Sequence, residues 1–228
     1  MENTRSFSVA DLAIAVFAMA IVVVASNFLV QFPVEHTLAG VNLADLLTWG
    51  AFTYPIAFLV TDLTNRRFGP SAARKVVLTG FVIAIVVPMI FWTFDEAFTT
   101  PRILVASGTA FLVAQLLDVT IFDRLRRLTW WKAPIASSLI GSLIDTLLFF
   151  GIAFAAAFAF VDVSFGMEDG SLAFPVPFLG IADAFQVPLW ASLAVGDFMV
   201  KILVAVALLA PYRIVLNMVQ PQPGSSAA

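Results

Sequence analysis

Asp145 and Asp197 each sit near the middle of a long apolar stretch. A carboxylate at that depth of a bilayer costs about 2.5–3.5 kcal/mol on insertion scales, so it is kept where it faces a bundle interior or a substrate path. Lys201 follows Asp197 by four positions, on the same helix face. The plainer reading is that the two simply neutralise each other; the alternative, compatible with it, is that Asp197 and Lys201 help bind a substrate. Asp145 has no basic residue three or four positions away in its own stretch. Its partner must be another helix, a water-filled cavity, a cationic ligand or a proton.

Other polar residues lie at matching depth. Asn27, beside Ser26, falls in the outer third of the first stretch, and Trp49, Phe52, Thr53 and Tyr54 precede Pro55, an expected kink, in the second. Rings stack on a flat heterocycle while amides and carboxylates read its edge. Taken singly, Trp and Tyr at such a depth are ordinary interfacial residues. Ala133, Ser137, Gly141 and Asp145 recur every four residues, with Ser138 and Ser142 beside them. For the first three, close helix packing is the simpler explanation. A second acidic set, Asp62, Gln115 and Asp118, lies just before arginine runs. Its plainer role is to pair across loops and fix helix ends; the alternative is an inner gate or a proton site.

These residues need helices to hold them. At ~20 apolar residues per span, helices are expected near 9–31, 44–62, 74–94, 103–122, 134–161 and 187–216. At ~1.5 Å per residue, Asp145 lies roughly 16 Å and Asp197 roughly 15 Å inside its helix. The breaks carry Pro, Gly and charge; the longest is 162–186, where 172–182 is apolar enough for a short interfacial or re-entrant piece. Ten of the 12 basic residues fall on one side: Arg5, Arg66, Arg67, Arg74, Lys75, Arg124, Arg126, Arg127, Lys132 and Arg213. Arg102 stands in an opposite loop, with Glu35, Asp95, Glu96, Asp162, Glu168, Asp169 and Asp183. The positive-inside rule then makes both termini cytoplasmic. The expected fold is an all-α integral membrane protein of six transmembrane helices, one domain over 1–218 with a disordered tail at 219–228.

Composition agrees and excludes much else. Hydrophobic residues make up 61% and charged residues 12%, against roughly 45–50% and 25% in soluble domains. A net charge of −3 without a basic stripe gives no case for nucleic acid. With no Cys and a lone His36, no metal site or cofactor is expected. The first stretch is too long for a signal-peptide core and reads as a retained span. No phosphate-binding loop and no metalloprotease or serine-hydrolase motif occurs. That argues against nucleotide hydrolysis and against an enzyme acting on lipid. The chemistry left is that of a small polytopic transporter.

Specific blocks carry a resemblance. ASNFLVQFP at 25–33, LTWGAFTYP at 47–55 and AFLVTDLT at 57–64 are similar to the bacterial queuosine precursor transporters. So are QLLDVTIFDRLR at 115–126, WWKAP at 130–134, SLIDT at 142–146, and the last span through Asp197, Lys201 and Leu216-Asn-Met218. The N-terminus and the loop 162–186 fall outside the likeness. The resemblance implies uptake of 7-deazaguanine bases (preQ0, preQ1 or queuine) across the inner membrane. It implies a bundle like the substrate-binding subunits of energy-coupling-factor vitamin transporters, working without a dedicated ATPase. The first span agrees in lacking Ala-x-x-x-Ala, a docking pattern of such subunits. The substrate's adjacent N–H and amine would be read by Asp145 or Asp197, its carbonyl side by Asn27, with Trp49, Phe52 or Phe149 stacking. A vitamin-binding subunit that needs an ATP-driven partner is the alternative. A homo-oligomer is compatible with either reading.

Overall fold

The computed structural model describes residues 8–38, 40–94, 99–181 and 184–219. Arg5, Asp95, Glu96, Asp183 and the expected tail beyond Val219 lie outside them. Helix α1 (Val9–Leu29) starts at a capping box: Ser8 accepts the Asp11 N–H at 3.1 Å, and the Asp11 carboxylate accepts the Ser8 N–H at 3.2 Å. Two orphan donors are thereby satisfied at the chain's first turn. A small hairpin, β1 (Thr37–Leu38) and β2 (Val41–Asn42), leads to α2 (Gly50–Thr53) and α3 (Ile56–Phe68). Gly69, at φ 86°, donates its N–H to the Asn65 carbonyl at 2.9 Å and turns the chain directly into α4 (Pro70–Trp92). Only glycine adopts that φ without strain. Then follow α5 (Pro101–Leu125), α6 (Lys132–Phe154), the short α7 (Ala159–Ser164), a hairpin of β3 (Pro175–Pro177) and β4 (Gln186–Pro188), α8 (Leu189–Ala207) and α9 (Leu209–Val219).

Five of the described segments are long and apolar enough to cross a membrane: Val9–Leu29, Pro70–Trp92, Pro101–Leu125, Lys132–Phe154 and Leu189–Asn217. The protein is a mostly helical, multi-pass membrane protein. The stretch expected at 44–62 is instead broken at Tyr54-Pro55 and runs on to Phe68. Pro55 brings no N–H to the ladder, so the four-residue α2 ends there and α3 restarts. Likewise Pro211 cannot donate to the Ala207 carbonyl, and the last helix breaks between α8 and α9. Helix α6 stops at Phe154 rather than 161, because Ala155 turns extended (φ −76°, ψ 136°) and gives its carbonyl to Arg102. No re-entrant helix forms over 172–181; the segment carries β3 and a short turn instead.

Helices α5 and α6 make the most extensive packing in the bundle; α8 packs on α6, and α1, α3 and α4 pack with α5 on the other side. Met19, Val23, Val76, Val77 and Phe111 form the principal apolar core between α1, α4 and α5. A second cluster joins Phe122, Ala133, Tyr212 and Leu216 near the arginine-rich end. Large apolar side chains such as Phe17, Ile21, Val82 and Leu203 are exposed on the outside of the bundle, the face a lipid environment covers.

Candidate functional site

The α2–α3 segment and α6 run antiparallel, joined by three rungs at four-residue steps on both. Tyr54 donates its hydroxyl to Asp145 Oδ1 at 3.0 Å. Phe58 packs on Gly141, where an added Cβ would stand 2.8 Å from the ring. Ser137 donates to Asp62 Oδ1 at 3.4 Å. The apolar middle rung separates two polar layers, one toward the hairpins and one toward the arginines.

The layer toward the hairpins is centred on Lys201. Its ammonium donates to Asp145 Oδ2 at 2.8 Å, to Thr146 Oγ1 at 3.2 Å, and pairs with Asp197 Oδ2 at 2.5 Å. All three N–H donors are therefore used, and the ammonium also lies 5.3 Å from the Tyr54 ring centroid. Thr146 passes the chain on by donating to Asp197 Oδ2 at 2.9 Å. Burial here requires such pairing, since an uncompensated ion in a low-dielectric site is strongly unfavourable. Asp145 has both oxygens engaged. Asp197 is different: its Oδ1 receives no donor from the described residues, and its side chain is 13% exposed against 5% for Asp145. Two carboxylates against one ammonium leave the cluster one negative charge.

This cluster forms part of the wall of a cavity of about 480 Å³ between α1, α2, α5, α6 and α8. That volume falls within the range of small-molecule sites. Asn27 of α1 also lines the cavity, and its buried Nδ2 has no partner among the described residues. Phe149, Phe150 and Phe154 supply the aromatic surface; the Phe149 ring is edge-on to Phe150 at 5.1 Å and 87°. Gly196 lets α8 approach the Leu46 carbonyl, 3.3 Å from where a Cβ would stand.

The cavity thus gathers Asn27, Asp145, Phe149, Asp197 and Lys201. Trp49, Phe52 and Thr53 do not reach it. Gly50, Ala51 and Tyr54 take the inward face of α2, and at ~100° per residue the other three must turn away. Trp49 and Phe52 pair with each other at 5.7 Å on the exposed side, while Thr53 meets Ser26 at 3.0 Å. Thr146 is the participant that sequence reasoning did not select, and Tyr54, grouped there with Trp49, Phe52 and Thr53 at matching depth, was given no ligand contact of its own. Their signals were Tyr54's place before the helix-breaking Pro55 and Thr146's place beside Asp145. Asp62, Gln115 and Asp118 occupy the other layer, where Thr61 donates to Gln115 Oε1 at 2.7 Å.

The hairpin end is latched by Arg102, which is buried rather than loop-exposed. It pairs with Asp162 at 2.8 Å and donates to the Ile152 carbonyl at 2.8 Å and the Ser171 hydroxyl at 3.1 Å. Asp162 also accepts the Gly170 N–H at 3.1 Å. The adjoining Asp169 carboxyl is held below its ordinary range, first by the Ser171 hydroxyl and then by the Ser171 N–H at 2.9 Å. The loop is further sewn to α6 and α8 through Leu172 N–H to Phe154 O at 3.0 Å and Leu179 N–H to Ser192 Oγ at 2.7 Å.

A family described as "Putative vitamin uptake transporter" matches residues 48–215, the stretch that holds most of this site. The chain belongs to that vitamin uptake transporter family. The queuosine precursor transporter of Escherichia coli is 35% identical over 217 residues, covering 87% of this chain and 83% of its own. The probable queuosine precursor transporter of Haemophilus influenzae is 34% identical over 220 residues, with the same coverage. That of Bacillus subtilis is 28% identical over 128 residues, 47% of this chain and 56% of its own. These relatives are named as transporters. No solved structure matches.

Proposed function

We propose that this family member is a single-component carrier for queuosine precursors, 7-deazaguanine bases taken up across the bacterial inner membrane. The observation that carries this is the pairing, across one cavity, of a free carboxylate oxygen (Asp197 Oδ1) with an unspent carboxamide (Asn27). The relatives' shared name supplies the substrate class. A 7-deazaguanine edge offers two adjacent N–H donors to a carboxylate and a carbonyl to an amide. Asp197 reads the donors, since Asp145 is occupied by Tyr54 and Lys201; Asn27 reads the carbonyl, and Phe149 stacks. The cluster's net negative charge also favours an aminomethylated, cationic precursor.

Six spans fit this reading, with 50–68 as a broken second span beside the five long ones, in one domain over 1–218. Alternation of direction, together with the clustering of arginine at one end, supports cytoplasmic termini. The hairpins then cap the outer end. The family's description names vitamin uptake, and the second reading is a vitamin-binding subunit that docks on an ATPase. A stable complex with such a module on purification from detergent is its signature; the single-component reading expects none.

The test is queuosine in tRNA, read by mass spectrometry, in a bacterium lacking precursor synthesis and uptake. Supplied with nanomolar precursor, cells expressing the wild-type chain accumulate queuosine, and those expressing Asp197→Asn accumulate it far more slowly. Absence of queuosine despite membrane expression of the wild type overturns the precursor assignment.

A further inference from the structure

Asp62 and Asp118 line no part of the substrate cavity and join no ion pair among the described residues, yet neither is more than 1% exposed. They lie on the facing sides of α3 and α5, bracketed by the Thr61 hydroxyl donating to Gln115 Oε1 at 2.7 Å and Asn65 Nδ2 donating to the Val119 carbonyl at 2.9 Å, with the Ser137 hydroxyl of α6 beside Asp62. Among the described residues, neither oxygen of Asp118 meets a donor. Arg66, one turn along α3, is within electrostatic reach of Asp62 but forms no ion pair with it among the described residues. It donates to the Tyr212 hydroxyl of α9 at 3.0 Å, to the Trp130 carbonyl at 3.4 Å and to the Arg126 carbonyl, and lies 5.1 Å from the Phe122 ring centroid. Arg74 and Lys75 on α4 and Lys132 on α6 are exposed. The pair therefore has a hydroxyl, Ser137, and a cation, Arg66, nearby, but no ion-paired counter-ion among the described residues.

Two buried carboxylates in contact cannot both keep a charge without a counter-ion. One proton resolves this: it stays on one oxygen, donates to the other carboxylate, and removes one of the two like charges. A void of about 20 Å³, room for about one water, lies beside Asp62 between Pro55, Ser138 and Tyr212 and offers a route for that proton.

We propose that Asp62 and Asp118 bind a single proton and couple its movement to that of the substrate, an inference that rests on the carrier function above. The coupling path is the ladder. Asp62 and Tyr54 lie roughly two turns apart on the α2–α3 segment, as Ser137 and Asp145 do on α6. With the proton bound, α3 and α5 are held together at the arginine-rich end. Its loss sets two negative charges face to face, pushes α3 from α5, and moves the rung that holds Asp145. Protonation from outside and release inside then favours uptake.

Purified chain in liposomes tests this by two readouts. The first needs no substrate: infrared spectra of protein carrying isotope-labelled aspartate are compared between acid and alkaline pH. The wild type shows a protonated-carboxyl band, lost in Asp118→Asn and in Asp62→Asn. No such band in folded wild type overturns the proposal. The second uses radiolabelled preQ1. An interior-alkaline gradient of one pH unit supports up to about tenfold accumulation per coupled proton, and Asp118→Asn abolishes it while keeping preQ1 exchange. Exchange that ignores the pH gradient, or follows a sodium gradient instead, also overturns the proton site. A carboxyl band without any preQ1 exchange retains the proton site and overturns the substrate assignment instead.

Discussion

Tyr54 and Asp145, far apart in the chain, meet at 3.0 Å and divide the labour of two aspartates. The hydroxyl takes one oxygen of Asp145 and Lys201 the other, so Asp145 is a fixed structural anion. Asp197 shares the same lysine, but its Oδ1 meets no donor among the described residues. Two carboxylates of similar depth thus have different work, set by which partners reach them.

Asp197→Asn removes the free anionic acceptor while Lys201 stays paired with Asp145. Losing a charge-assisted bond of about 1.5–3 kcal/mol predicts a ten- to hundredfold fall in uptake. Thermal stability in detergent stays close to wild type. Fluorescence-detected size exclusion on heating, beside transport, checks both.

Lys201→Met leaves two buried carboxylates without their cation and destabilises the fold by about 3–5 kcal/mol. The double variant Lys201→Met with Asp197→Asn restores part of that loss, because one unpaired anion remains instead of two. Equal melting temperatures for single and double variants would show that the ion cluster is not what holds α6 to α8.

Tyr54→Phe deletes one hydrogen bond to Asp145 and costs about 1 kcal/mol. The apparent affinity for precursor falls a few fold, with the maximal rate little changed. A loss as large as that of Asp197→Asn would place the tyrosine hydroxyl on the ligand itself.

Gly141→Ala drives a methyl to within 2.8 Å of Phe58. Overpacking of this kind costs about 1–3 kcal/mol. Adding Phe58→Leu relieves the clash and recovers stability, as a thermal melt of the three variants will show.

The latch over the cavity responds to acid through Asp169. Its folded-state carboxyl is held low by Ser171, so the stabilisation is present above the ordinary carboxylate range and is lost only as pH falls below it. Hydrogen exchange across 166–172 stays constant from neutral pH down to that range and rises beneath it. Arg102→Ala, by contrast, loosens the same segment at every pH.

What the sequence determined by itself was everything governed by local period and composition. Apolar runs of membrane length set five of the long helices to within a few residues at most ends, and the skew of arginine pointed to their direction. The mid-span aspartates, Asn27 and Lys201 were legible because a polar group in an apolar run has to be satisfied by something. Prolines were visible as breaks, although Pro211 was read through and α6 was drawn too long, since Arg102's claim on the Ala155 carbonyl crosses between helices. Tertiary structure alone decided the rest. Whether Lys201 answers Asp145 as well as Asp197, and whether Trp49 or Tyr54 faces inward, depends on helix rotation and on contacts between distant segments. A repeat of 3.6 residues states that a face exists; only the neighbours packed against it decide which face is turned to the cavity.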